Sequence, residues 1–288
     1  MTITAGPLAD EEIRRNPTVA EIPVMILCGG MGTRLREASE KLPKPLVDIG
    51  GRPILWHIMK TYEAHGFRRF ILCLGYKSEL IKRYFLDLRE QVSDFSLQLS
   101  GDHQPRFLTD THGDSWGEDW DVTFAETGLE TGTGGRIRRA LKYVDTDVFA
   151  LTYGDGIGDV NLTAQLQRHR ASGLLATVTG VHPTSRFGEI HVNDSATEVV
   201  EFNEKPTLAT GWVSGGFFLL QREFGDRYLD DSADLLLEQA PLQRAARDGQ
   251  LGIFGHEGFW AGMDTFRDWT ELNRLWDAGD PPWKVWKD

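Results

Sequence analysis

Apolar and polar positions follow two different rhythms along this chain. Val24–Cys28 is an unbroken apolar run, the pattern of a strand buried on both faces. "GGRPILWHIMKTYEAHG" then predicts a helix: Pro53 suits its first turn, Ile54, Leu55, Ile58, Met59 and Tyr62 share one face, and Gly66 supplies a stop. The unit repeats, with "RFILCLGY" as a strand and "SELIKRYFLDL" as a helix whose Leu80, Ile81, Tyr84 and Phe85 lie on one side. "WDVTFAET", "GGRIRRALKYV" and "DVFALTYGD" continue as strand, helix and strand. Such alternation predicts a parallel sheet with right-handed crossovers.

Beyond Asp159 the rhythm changes. "LLATVTGV", "GEIHVN", "TEVVEFN" and "SGGFFLLQ" predict four strands, two of them joined by the turn-forming "DSA". The fold class is therefore α/β: a Rossmann-like, mixed, mostly parallel sheet flanked by helices, with added antiparallel hairpins. "TFRDWTELNRLWDAG" predicts a last helix, before the Pro-rich tail "DPPWKVWKD". Asp159 is expected to cap a helix and Asp268 to lie on a helix surface. Residues 91–117 are polar and broken by Gly, Pro and Asp, an excursion from the sheet. Residues 1–22 show mixed charge without periodicity, which favours a mobile extension over an arm on a partner subunit.

Charge narrows the function. At a formal −12 the chain lacks the basic surface that nucleic acid requires, although a local pocket for a small anion remains compatible with it. No apolar run approaches the roughly 20 residues a bilayer demands, and the start lacks a signal peptide's apolar core, so a cytoplasmic protein without a membrane partner is expected. Cys28 and Cys73 fall in predicted strands and read as buried free thiols.

The candidate chemistry begins at "LCGGMGTRL", directly after the first strand. It lacks the lysine and hydroxyl ending of a Walker loop, and Leu35 stands where a dinucleotide fingerprint needs its third glycine. Gly29, Gly30 and Gly32 allow backbone N–H groups to converge on an anion, while Arg34 offers a fork for two phosphate oxygens. Lys44 is pinned between Pro43 and Pro45. In "TYGDGIGD", Asp155 follows an apolar strand at the sheet edge where open α/β proteins bind ligands, and Mg²⁺ accepts one or two such carboxylates.

These residues resemble a known family. "MILCGGMGTRLREASEKLPKPLVDIGGRPILWHIMK" is similar to the signature of sugar-1-phosphate nucleotidyltransferases, in particular the cytidylyltransferases that act on glucose 1-phosphate. The likeness continues through "LGYKSELIKRYF", "TGGRIRRA", "TYGDGIGDV", "RFGEI", "NEKP", "GGFFLL", "GFWAGMDTFRD" and "LWDAGDPPWKVW", nearly everything from Val24 onward. It implies the nucleotidyltransferase fold in one domain over 23–288, after the extension 1–22. A nucleotide-binding part runs over about 23–160, a sugar-binding part over about 161–265 and a Trp-rich helical tail over about 265–288.

The resemblance also implies an activity: CMP passes from CTP to a sugar 1-phosphate, glucose 1-phosphate first, giving a CDP-sugar and pyrophosphate. Asp264 joins Asp155 as a ligand of Mg²⁺; read alone, Asp264 could cap the last helix. Arg34 and Lys44 take catalytic roles. Nucleotide contacts fall on Leu27, Gly29, Gly30, Gly32, Thr33, Arg34, Lys44, Thr133 and Arg136, the last otherwise a helix-surface arginine. Glu126, or carbonyls of "ETGLETGTGGR", would accept from the cytosine amino group. Lys205 and Glu204 would hold the sugar phosphate and sugar hydroxyls, with Gly188 and Gly216 allowing close approach. Ser214 stands where the cytidylyltransferases carry asparagine, so the hexose could differ. Homo-oligomers are the rule in the family, and the late tryptophans suit either a core or a subunit interface.

Two rivals fail on residues. A nicotinamide oxidoreductase needs an acidic residue after the second strand, where "LGYK" stands. A noncatalytic sensor would be expected to lack Asp155, Lys44 or Asp264, and all are present.

Overall fold

Strand β1 (Pro23–Leu27) is buried along its whole length, because helices cover both faces of the sheet it belongs to. The computed structural model describes residues 13–30, 42–100, 104–109, 118–182, 189–192, 199–203 and 211–287. Val24 and Ile26 enter one apolar cluster and Met25 and Leu27 the other, the period of two that a pleated strand imposes.

After β1 come the short antiparallel pair β2 (Asp48–Ile49) and β3 (Arg52–Pro53), then helix α1 (Ile54–Ala64). The five predicted apolar residues of α1 are all at most 1% exposed, each such burial contributing about 1.5–3 kcal/mol. Gly66, at φ +92°, turns the chain after the helix into β4 (Arg69–Leu74), followed by α2 (Ser78–Leu86) and α3 (Leu88–Val92). The predicted excursion contains an antiparallel hairpin, β5 (Asp94–Leu97) with β6 (Pro105–Thr109), before β7 (Asp121–Glu126), α4 (Thr133–Ala140) and β8 (Val148–Tyr153).

The second half holds β9 (Gly156–Gly158), α5 (Leu162–Ser172), β10 (Ala176–Val181), the antiparallel pair β11 (Glu189–Val192) and β12 (Val199–Asn203), and β13 (Val213–Gln221). Helices α6 (Arg222–Tyr228) and α7 (Ala240–Arg247) lead to β14 (Leu251–His256), β15 (Trp260–Gly262) and α8 (Phe266–Asp277).

Seven strands form the central sheet in the order β14-β10-β13-β8-β1-β4-β7. Only β13 runs antiparallel to its neighbours, so the sheet is mostly parallel as expected. Of the four strands predicted after Asp159, β10 and β13 join this sheet while β11 and β12 pair apart from it. From β1 the chain moves outward through β4 and β7, then returns to β8 on the other side of β1. That reversal leaves a crevice at the carboxyl ends of β1 and β8, the place where such sheets hold ligands.

Three expectations are corrected. Residues 13–22 are docked on their own chain rather than mobile: Arg14 exchanges backbone hydrogen bonds with Asp145 and Asp147, and its guanidinium meets Asp145 and Glu21. Asp159 does not cap α5, which Asn161 caps by accepting from Ala164 N at 2.9 Å; Asp159 lies 3.0 Å from His256 Nε2 instead. Asp268 is no bland surface residue, as its contacts with Asp264 show below. Cys28 and Cys73 are buried free thiols. Trp283 and Trp286 are buried against α1, around His57, so these two tryptophans are core.

Candidate active site

The crevice holds a pocket of about 420 Å³, lined among others by Leu27, Gly29, Gly30, Lys44, Thr133, Arg136, Tyr153, Asp155 and Asp264. Three short pieces of chain bring its charged groups together. A tight 3-10 turn, Lys44–Leu46, buries Pro45 and Leu46 and leaves Lys44 facing the pocket. Pro45 lies against Gly154, where a Cβ would come within 3.1 Å of Pro45 Cγ and 2.9 Å of Leu27 O, so glycine is required for this approach. Immediately after Asp155, β9 pairs with β15 in the register Gly156↔Gly262, and Met263 N donates to Asp155 O at 2.8 Å. The next residue is Asp264.

As a result Lys44 Nζ sits 2.6 Å from Asp155 Oδ2 and 2.7 Å from Asp264 Oδ1. Burial works against the ammonium, but the two carboxylates outweigh it and hold the Lys44 pKa above its ordinary value. Asp268 Oδ2 accepts from Asp264 N at 3.0 Å and Thr265 N at 2.8 Å, while Thr265 caps α8. Asp268 thereby aims Asp264. Among the described residues no cluster of three or more His, Cys, Asp or Glu assembles. The Asp155–Asp264 pair nevertheless fits a hard divalent cation: its oxygens already converge on one positive charge, and both side chains are over a third exposed, leaving positions for phosphate oxygens and water.

Arg136 is no helix-surface arginine: it reaches the pocket lining from a buried position. It is 5% exposed, and its guanidinium donates to the carbonyls of Leu74 (3.0 Å), Gly128 (2.7 Å), Leu129 (3.1 Å) and Gly29 (3.1 Å) and to Thr127 Oγ1 (2.9 Å). It staples the glycine turn after β1 to the loop after β7. A Cβ on Gly29 would lie 2.1 Å from Arg136 Nη1, so the staple itself calls for glycine here.

The profile described as Nucleotidyl transferase matches residues 23–274. The chain belongs to the nucleotidyl transferase family. A Salmonella typhimurium protein named glucose-1-phosphate cytidylyltransferase is 42% identical over 268 residues, covering 91% of this chain and 99% of that one. A Bacillus subtilis protein named "Probable glucose-1-phosphate cytidylyltransferase" is 43% identical over 263 residues, with the same coverage. The crystal structure of HddC from Yersinia pseudotuberculosis superimposes with a TM-score of 0.64 at 24% identity, covering 88% of this chain and 99% of that one, a likeness of fold.

Nucleotidyl transferases use a divalent metal, which gives the paired carboxylates their context. Leu27, Gly29, Gly30 and Thr133, named from the sequence as nucleotide contacts, line the pocket. Glu126 is not among its lining residues: it is exposed and paired with Lys82, which holds its carboxyl below the usual range. The nearby carbonyls of Thr127, Gly128 and Leu129 are occupied by Arg139 and Arg136. Of the residues expected to contact the sugar, Gly216 has φ +79° and packs on the Tyr153 ring, where a Cβ would come within 2.6 Å. Ser214 is exposed on β13 beside Gly180 and does not line the pocket. Gly32, Thr33, Arg34, Gly188, Glu204 and Lys205 lie outside the described residues.

Sequence reasoning missed Asp268, Tyr153 and Leu236 at this site. A capping box, Thr265 with Asp268, was readable in the sequence and would have flagged Asp268.

Proposed function

We propose that this nucleotidyl transferase is a glucose-1-phosphate cytidylyltransferase, making CDP-glucose and pyrophosphate from CTP and α-D-glucose 1-phosphate. The observation that carries the reading is the meeting of Lys44, Asp155 and Asp264 at the crevice between β1 and β8. The names of the two relatives above supply the choice of nucleotide and sugar.

The chemistry needs no general base. The second pKa of a phosphate monoester is about 6, so the sugar phosphate is mostly dianionic at neutral pH and its oxygen can attack the α-phosphorus of CTP. Catalysis is then alignment and charge neutralisation. Lys44 neutralises the crowded α-phosphorus centre, Arg34 holds the departing pyrophosphate, and Lys205 and Glu204 orient the nucleophile. Gly29 and Gly30 bring backbone N–H groups to the triphosphate, and Arg136 keeps that turn in place. Asp155 and Asp264 would hold Mg²⁺, which when bound supplies charge neutralisation at the phosphates. In this proposal the enzyme works in the cytoplasm as a homo-oligomer.

The deciding experiment is a grid of the four nucleoside triphosphates against several sugar 1-phosphates, with and without Mg²⁺, reading pyrophosphate release and product mass. CDP-glucose should dominate. A product set containing no CDP-sugar refutes the reading, and a different preferred hexose moves attention to Ser214.

A further inference from the structure

Between α6 and α7 the chain runs back across the start of α4. Ala233 O accepts from Gly132 N at 2.7 Å, Leu235 O accepts from Gly134 N at 2.9 Å and Gly135 N at 3.2 Å, and Leu237 N donates to Thr133 Oγ1 at 2.9 Å. The amides of Gly132, Gly134 and Gly135 are thus spent on protein carbonyls rather than left for a phosphate.

The same segment brings an acidic group against two residues of the pocket wall, behind the lining itself. Glu238 Oε2 accepts from Thr133 Oγ1 at 2.7 Å, and its Oε1 accepts from the Tyr153 hydroxyl. Thr133 and Tyr153 both line the pocket, and so does Leu236, two residues before Glu238. Tyr153 cannot swing away freely, because its ring is seated on Gly216 and edge-on to Phe218. Burial and the neighbouring carboxylate raise the Tyr153 pKa far above its usual value, so its hydroxyl stays a donor.

A tie between the segment and α4 is already made by the amides of Gly132, Gly134, Gly135 and Leu237, so the carboxylate is surplus to holding the chain. It is exposed, and each oxygen keeps a lone pair beyond the bond it accepts. An ionised carboxylate repels phosphate and takes donors. It stands between Thr133, on the nucleotide side, and Tyr153, packed on Gly216 of β13. Resting on the cytidylyltransferase reading, we propose that Glu238, positioned by Tyr153 and Thr133, binds and selects for a substrate hydroxyl, on the ribose of the nucleotide or on the hexose of the sugar phosphate.

The test compares wild type, Glu238→Ala, Glu238→Gln and Tyr153→Phe on two substrate series. CTP is set against its 2′-deoxy and 3′-deoxy forms, and glucose 1-phosphate against its singly deoxygenated forms, by kcat/KM and by calorimetric binding. Losing a charge-assisted hydrogen bond should cost Glu238→Ala about 10- to 100-fold in kcat/KM on the hydroxyl-bearing substrate. The matching deoxy analogue should be handled as by wild type, and the series that responds names the hydroxyl. Glu238→Gln keeps an acceptor and should retain part of the discrimination; Tyr153→Phe should weaken it while leaving the carboxylate. Equal losses on full and deoxy substrates, or no change at all, overturn the proposal. If wild type makes no CDP-sugar, the parent reading fails by itself, and calorimetry of the same ligands still decides the role of Glu238.

Discussion

The Lys44 ammonium donates to Asp155 Oδ2 at 2.6 Å, closing the carboxyl end of β8 with a positive charge carried on a proline-flanked turn. Asp264 Oδ1 completes the arrangement at 2.7 Å. The carboxylates that would hold a metal are therefore kept together by the protein's own cation. Treatment with a chelator should abolish turnover while leaving the melting temperature nearly unchanged. In Lys44→Met the melting temperature should instead become dependent on Mg²⁺, because two adjacent carboxylates then face each other without a counter-charge. Differential scanning calorimetry with and without Mg²⁺ reads both; a Lys44→Met protein indifferent to metal counts against the arrangement.

Turnover should depend on the same three residues. Lys44→Ala, Asp155→Asn and Asp264→Asn are each expected to lower kcat about 10²–10³-fold, the size of a lost preorganised electrostatic group. Near-normal kcat in any one of them removes that residue from the mechanism.

Asp268 acts at one remove, by accepting from the backbone of Asp264 and Thr265. Asp268→Ala should raise the Mg²⁺ concentration needed for half-maximal rate by about 10-fold or more, as losses of groups that orient metal ligands do. At saturating Mg²⁺ much of the rate should return. A variant whose rate stays low however much metal is added would place Asp268 in the chemistry itself.

Arg136 and Gly29 should be energetically coupled. Arg136→Met strands the buried carbonyls that the guanidinium serves, at an expected cost of at least about 3 kcal/mol. Gly29→Ala forces a methyl into the guanidinium and should destabilise on its own. In the Arg136→Met background the same Gly29→Ala change should cost much less, so a denaturation double-mutant cycle should show strong non-additivity. Simple additivity would mean that the two residues do not share that space.

Two buried histidines make the fold acid-sensitive. Burial pushes the pKa of His57 and of His169 down to about 4, against about 6.5 in an unfolded chain. As pH falls, the unfolded state takes up these protons first, so the stabilisation is complete above about pH 6.5 and is lost progressively toward pH 4. The loss amounts to about 3 kcal/mol per histidine. His57 Nε2 pairs with Ile49 O at 2.9 Å while its Nδ1 meets Trp283 Nε1, so protonation also breaks a buried contact. Melting temperatures between pH 7.5 and 4.5 should fall, and His169→Gln should flatten that slope even if its stability at neutral pH is lower.

The sequence determined the elements that rest on local periodicity and on backbone restriction. Unbroken apolar runs made β1, β4 and β8 legible because both faces of the sheet are covered, and the spacing of Ile54, Leu55, Ile58, Met59 and Tyr62 made α1 legible. Proline on both sides of Lys44 announced a fixed cation for the same local reason. What it did not determine is which distant groups meet. Asp155 and Asp264 are joined through β9 and β15, each three residues long, and a strand that short carries no period to read. Arg136 was legible as an arginine near glycines, yet its role as a staple exists only because α4, β1 and the loop after β7 converge on its guanidinium. Glu126 went to Lys82, since a charged side chain takes the nearest opposite charge in space, and Asp159 came to lie beside His256. Tertiary structure decided those partners, because neighbours in space are set by the order of strands in the sheet and not by distance along the chain.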